Sequence, residues 1–404
     1  MYSKLKKLSP LTLLFFIPLI PHFNVVEGFI HTDDLPILFF GIFILFNIKK
    51  LDLGFKQPVR IVILFIFIIY LLIQNQLVGN TFFNSEILRY LFYGILFIFV
   101  ISTDINTFHE DIPFFLFLIV SYFSIQAYLL SYNFGTDLYN NWNIGLNLSD
   151  IDYIKGRTNG FQAGGPNSFA DLITVTAIYS MFKKKDSLLP LPLIVFSSIL
   201  ACFFTYSRFS LIVLLIFIIY KILLVENKTI NFVILILALL VCSQFGLIER
   251  FSSDDNSGIE DRVEMQSGTI NFIYEDSVKN NLIGRGFNSY IVKGETLYDA
   301  DQFNENNISY GPHNSYLFIL LNYGLIGLLP YILIIIDLLY KWIKHVDKHK
   351  NIFKEFSPHF YVLVAFLLLS FSSDLLQNHS VSWFFYLSYF LFTKETENKE
   401  SHEK

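Results

Sequence analysis

Cysteine is nearly absent from this chain: Cys202 and Cys242 are the two in 404 residues, each within or at the end of an apolar segment. Neither CxxC nor metal-ligand spacing is present, so both read as small packing residues, and they say nothing of the redox compartment. Charge is scarce too, at 16% Asp, Glu, Lys and Arg. There is no tandem repeat, no low-complexity linker and no evident metal-ligating cluster. The first apolar run follows Lys4, Lys6 and Lys7, but Pro10, Pro18 and Pro21 interrupt it and no small-residue cleavage site follows. It is therefore expected to be a retained first helix rather than a signal peptide.

What the chain has in abundance is hydrocarbon. It is 53% hydrophobic and 18% aromatic, with mean hydropathy +0.51. Apolar segments lie near 9–30, 35–48, 61–78, 86–102, 113–133, 167–182, 188–205, 209–225, 229–246, 315–340, 358–376 and 381–393. Many are long enough to cross a hydrocarbon core of about 30 Å. The expected fold class is all-α: a polytopic integral membrane protein with about twelve transmembrane helices.

Alternating these spans from a cytoplasmic N-terminus places 20 of the 29 basic residues on the inner side, among them Lys49, Lys50, Lys183 to Lys185 and Lys341 to Lys354. That is the bias the positive-inside rule describes. Segment 103–112 departs from it, having no Lys or Arg on a predicted inner turn. The resulting organisation is nine helices over 1–246 with an outer loop near 134–166, a large outer loop over 247–314, three helices over 315–393 and a cytoplasmic tail over 394–404.

The large loop holds 12 Asp or Glu against 5 Lys or Arg, so an anion site there must be local rather than a broad basic field. Outer-side cations are mostly arginine, which suits bidentate recognition of phosphate or carboxylate.

Four outer features carry chemical content. Gly156-Arg157-Thr158-Asn159-Gly160 continues through Gly164-Gly165-Pro166-Asn167-Ser168. Its glycines permit close backbone approach, and Asn167 is placed to cap a helix whose amides favour anions; an ordinary glycine-rich turn is the alternative. Tyr206-Ser207-Arg208 sits between two apolar runs, where an arginine must snorkel, pair or line a cavity.

Asp261-Arg262-Val263-Glu264 opens a predicted helix with Ile259, Val263, Ile270 and Ile273 on one face, although Asp261 and Arg262 also suit a surface ion pair. Gly284-Arg285-Gly286 follows, without the strand context of a dinucleotide fingerprint. Last, His313-Asn314 precedes an apolar helix in which Gly324 lies eleven residues on, about three turns, so His313, Gly324 and Gly327 are expected on one face. A lone histidine is commonly just a satisfied polar residue; its water-facing position opposite arginines raises its interest.

Together these features resemble the superfamily of O-antigen polymerases (Wzy type) and O-antigen ligases. His313-Asn314, nine residues, Gly324, two residues and Gly327 fit its H-[NSQ]-x9-G-x-x-[GTY] pattern; Ser207-Arg208 resembles its mid-chain arginine. Arg262 followed by Leu282 to Tyr290 resembles its large-loop pattern, with Met265 and Gln266 where an aromatic is common. The resemblance covers roughly 150–330. Arg157 to Gly160 with Pro166-Asn167 resembles the polymerase branch.

The resemblance implies a metal-independent glycosyltransferase, with no cofactor and no nucleic acid, at the outer (periplasmic) face of a bacterial inner membrane. Its substrate would be an undecaprenyl-pyrophosphate-linked oligosaccharide, and membrane lipid, a flippase and a chain-length regulator would be its partners. By that resemblance His313 would be the base, Arg208 and Arg262 would stabilise the leaving pyrophosphate, and Arg157, Asn167, Arg285 and Asn314 would contact substrate. Tyr274, Tyr290, Tyr298 and Tyr310 are candidates for stacking on sugars or for plain loop packing. Alternatives are a ligase moving polymer to lipid A-core, a flippase or transporter, and a structural membrane subunit. The chain lacks matched Gly/Pro-broken helices in two halves, which weighs against a transporter.

Overall fold

The computed structural model describes residues 24–26, 30–31, 42, 58–78, 85–102, 114–122, 124–125, 146–147, 157–158, 165–183, 190–205, 207–225, 227–244, 257–286, 312–349, 356–373, 375–376 and 379–402. Helix predominates among them. Two short antiparallel ladders pair β1 (Asn24–Val26) with β2 (Ile30–His31), and β3 (Leu146–Asn147) with β4 (Arg157–Thr158). The helices are α1 (Pro58–Leu77), α2 (Ser85–Ser102), α3 (Gly165–Phe182), α4 (Leu191–Phe203), α5 (Arg208–Leu224) and α6 (Lys228–Gln244). They continue with α7 (Ser257–Glu275), α8 (Val278–Ile283), α9 (Ser315–His349), α10 (Pro358–Leu369) and α11 (His379–His402).

At the centre is α3, which packs on α4, α5 and α10 and is buried on every side from Ser168 to Phe182. A helix buried all round needs no amphipathic stripe, and this one has none. Around it the outer helices invert the usual pattern. On α5, Leu214 and Ile218 face the core while Ile212, Ile216, Ile219 and Leu223, at helical spacing, are 44–53% exposed. A continuous apolar stripe of this kind needs an apolar solvent, as lipid provides. Among the described residues, Ser315–His349 is the helix long and apolar enough by itself to cross a membrane. The arrangement is consistent with a helical membrane protein; the expected spans near 9–30 and 35–48 and the inner turn 103–112 lie largely outside the described residues.

Two expectations change. The end of the 9–30 segment forms the β1–β2 hairpin rather than helix. The expected tail over 394–404 begins as a continuation of α11, which runs to His402; Lys394 Nζ donates to Val100 O at 2.8 Å, and Ser357 Oγ donates to Glu395. Most important, α9 is broken at Gly324, which has φ 66° and ψ −172°, so His313, Gly324 and Gly327 do not share one continuous helical face.

The reason for the break is a close approach. A Cβ on Gly324 would collide with the Leu282 carbonyl, and one on Gly284 would collide with that of Asn322. Both glycines have positive φ, where a side chain is strained. Carbonyls freed by the break are satisfied from outside α9: Arg285 N donates to Leu321 O (3.2 Å) and Gly286 N to Asn322 O (2.9 Å). From α1, Gln74 Nε2 donates to Asn322 O (2.9 Å), and Tyr70 Oη lies 2.6 Å from Tyr323 O and 2.9 Å from Ile283 O. The loop GxG and the helix glycine are thus two halves of one joint.

Candidate functional site

The site starts where α9 starts. Asn314 Oδ1 accepts from the Tyr316 and Leu317 amides at 3.0 and 3.2 Å, an N-cap arrangement. Its Nδ2 donates to Phe371 O at 3.3 Å. With both ends of its amide engaged and 8% exposure, Asn314 anchors the start of the helix. Ser315 N donates to Ser370 O (2.9 Å) and Ser315 Oγ to Ser373 O (2.8 Å). These bonds hold the start of α9 against the turn Ser370–Ser373; the preceding His313 has φ 47°, a left-handed conformation that costs a non-glycine residue about 1–2 kcal/mol.

The same turn receives Arg262. From α7, Arg262 Nη1 donates to Ser372 Oγ at 3.0 Å, and Gln266, one turn on, donates to Phe371 O at 3.3 Å. Burial, and secondarily the charge of Arg262, pull the His313 imidazole down to about pKa 4 from its usual 6.5. The two sequence-predicted residues from opposite ends of the large loop are therefore brought into electrostatic contact, and His313 is neutral at pH 7.

Arg208 is the first residue of α5, half-buried, and has no hydrogen bond or ion pair among the described residues. Its helix is joined to the same turn through Asp171 of α3. Ser210 Oγ donates to Asp171 Oδ1 and Ser373 Oγ to Asp171 Oδ2, both at 2.7 Å, and Ser207 Oγ lies 2.7 Å from Ser210 Oγ. Asp171 is 2% exposed. Sequence reasoning missed both Asp171 and the serine turn. The signal was present, as an acid inside an apolar span is a functional-site hypothesis by default, and Ser370-Phe371-Ser372-Ser373 interrupts the apolar segment 358–376.

Arg285 is not part of this cluster. Its guanidinium pairs with Asp276, lies 4.4 Å from the Phe272 ring centre and reaches Leu321 O at 3.5 Å. Burial lowers its pKa against the opposing effect of Asp276. The Asp276 carboxyl, despite a desolvation penalty, stays below its ordinary value through hydrogen bonds from the Ser277 amide and Asn280 and the charge of Arg285. Arg285 thus locks the glycine joint.

Asn167 is the third residue of α3 rather than its cap, because the helix begins at Gly165. Arg157 pairs through its backbone with Asn147, in a strand that contacts α3. The α7 helix is as expected, but Val263 and Ile270 are 62% and 52% exposed, and Ile273 with Phe272 packs on Leu321. Tyr274 is exposed, while Tyr290, Tyr298 and Tyr310 lie outside the described residues. No group of three metal-ligating side chains occurs among the described residues.

Arg262 and the start of the His313 helix thus converge on one turn at the end of a broken, apolar helix. Residues 193–332, about a third of the chain, match the family described as O-Antigen ligase. The match supports the O-antigen ligase and polymerase superfamily. It spans Arg208, Arg262, His313 and the Gly284–Gly324 joint, while Asp171 and the serine turn lie outside it. No match was found among curated proteins.

Proposed function

We propose that the protein is an O-antigen polymerase that joins undecaprenyl-pyrophosphate-linked repeat units at the periplasmic face of the inner membrane. The observation that carries this reading is the convergence of Arg262 and the start of the His313 helix on the Ser370–Ser373 turn. The oxygen of an acceptor sugar hydroxyl attacks the anomeric carbon of the donor glycan as His313 takes the hydroxyl proton. The bond between that carbon and the pyrophosphate oxygen breaks, and its electron pair leaves on the pyrophosphate. Charge growing on the leaving group is stabilised by Arg262 and Arg208, preorganised by the protein rather than by water.

A base held near pKa 4 is unprotonated but weak. The arriving pyrophosphate offsets the field of Arg262 and raises the imidazole toward the useful range. Substrate thereby activates its own base. Arg157 and Asn167, beside the start of α3, contact glycan or phosphate in this reading, and Arg157, Gly160, Pro166 and Asn167 favour the polymerase branch.

The family description favours a second reading, ligase. In a transporter the break at Gly324 would face a matching broken helix; here it is closed by the Gly284–Gly286 turn. Purified protein in proteoliposomes, given lipid-linked repeat units extracted from cells lacking it, should yield a ladder of longer lipid-linked glycans without added metal or nucleotide. A ladder that appears only with lipid A-core as acceptor would support the ligase instead.

A further inference from the structure

We propose that Asp171 is a positioning residue that sets the arginine pair, its carboxylate tying the helix start that carries Arg208 to the turn that holds Arg262. This rests on the glycosyl-transfer reading above. Ser210 has one hydroxyl proton, and at 2.7 Å it is given to Asp171 Oδ1. Ser207 must then donate to Ser210, so the residues on both sides of Arg208 point along one directed chain to the carboxylate.

The other oxygen, Oδ2, takes the proton of Ser373 at 2.7 Å. The neighbouring Ser372 accepts from Arg262, whose charge also acts on Asp171. Segments from three places in the chain therefore converge on one acid in a helix that is buried on every side. An apolar residue would fill that place without the cost of burying a carboxylate, so packing alone does not account for it. With 2% exposure and a serine on each oxygen, Asp171 does not touch substrate; it acts through the arginines.

The test is steady-state extension of extracted lipid-linked repeat units by the full-length protein in proteoliposomes. Ser210→Ala and Ser373→Ala, each removing one oxygen, should lower kcat on the order of ten- to a hundredfold, as a misplacement near 1 Å does. KM should stay within about twofold and membrane abundance should be unchanged. Asp171→Asn should retain more activity than Asp171→Ala, because its carboxamide can bond both serines once one hydroxyl turns round. Ser210→Ala placed in the Arg208→Lys background should add little further loss, since the two act as a unit.

Wild-type kcat in both serine variants, or a full multiplicative loss in the double variant, would overturn the inference. Slow arginine variants beside normal serine variants would remove only the role of Asp171. Fully active Arg208→Ala and Arg262→Ala proteins would remove the arginine reading and, with it, this one.

Discussion

Gly284 and Gly324 stand backbone to backbone, each in a positive-φ conformation and each without room for a Cβ. The contact joins the GxG of the large loop to the glycine of the His313 helix, and it sets where α7 and α9 meet. Gly284→Ala and Gly324→Ala should each destabilise the protein by about 2 kcal/mol or more, combining strain at positive φ with a steric clash. Thermal unfolding in detergent checks this: both variants should melt several degrees lower, whereas alanine at Gly327 should act only through its contact with Tyr323.

Arg262→Ala should lower extension roughly 10²- to 10³-fold, the scale for losing one preorganised donor to developing charge. Arg208→Ala should do the same. Both proteins should remain at normal abundance in the membrane, and lysine at either position should restore activity only in part because it lacks the planar fork. Immunoblots beside extension rates check this, and full activity in both alanine variants would remove the arginine pair from the account.

The pH dependence follows from His313. Its folded pKa near 4 lies below the 6.5 of the unfolded chain, so the unfolded state takes up a proton the folded state does not as pH falls from about 6.5 to 4. Stability from this group is present above about 6.5 and declines as pH falls through that window. The acid limb of kcat/KM, which reports the free protein, should lie near 4 rather than 6.5. Arg262→Gln should move that limb upward but not the whole way, because burial is the larger cause. A wild-type limb at 6.5 would contradict the burial of His313.

Much of this was legible beforehand. Hydropathy placed α1 to α6 closely, and the loop arginine fell on a helix as its periodicity required. The break at Gly324 was not legible, because nothing local distinguishes a glycine that bends a helix from one that lets another helix approach; the cause lies 40 residues away at Gly284. The bonds of Asn314 and Arg285 were not legible either, because their partners, Phe371 and Asp276, are set by the fold rather than by the pattern the two residues match. Asp171 was hidden because one acid scarcely lowers the hydropathy of an otherwise apolar segment. The serine turn was hidden because its partners come from α3, α7 and α9.

Lysine asymmetry predicts that Ser257 at the start of α7 and Lys348 near the end of α9 lie on opposite sides of the membrane. With Cys202 and Cys242 replaced, an impermeant thiol reagent added to intact spheroplasts should label a cysteine at Ser257 and not one at Lys348. The reverse pattern would invert the topology and place the site in the cytoplasm.

Polymerase activity is read from the glycan of a deletion strain carrying either the wild-type protein or His313→Ala. Without a working protein, lipid A-core should carry a single repeat unit, and only the wild type should restore the long ladder. A bare lipid A-core with long polymer accumulating on undecaprenyl pyrophosphate would contradict polymerase activity and assign the protein to the ligase branch. Repeat units trapped facing the cytoplasm would contradict glycosyl transfer altogether.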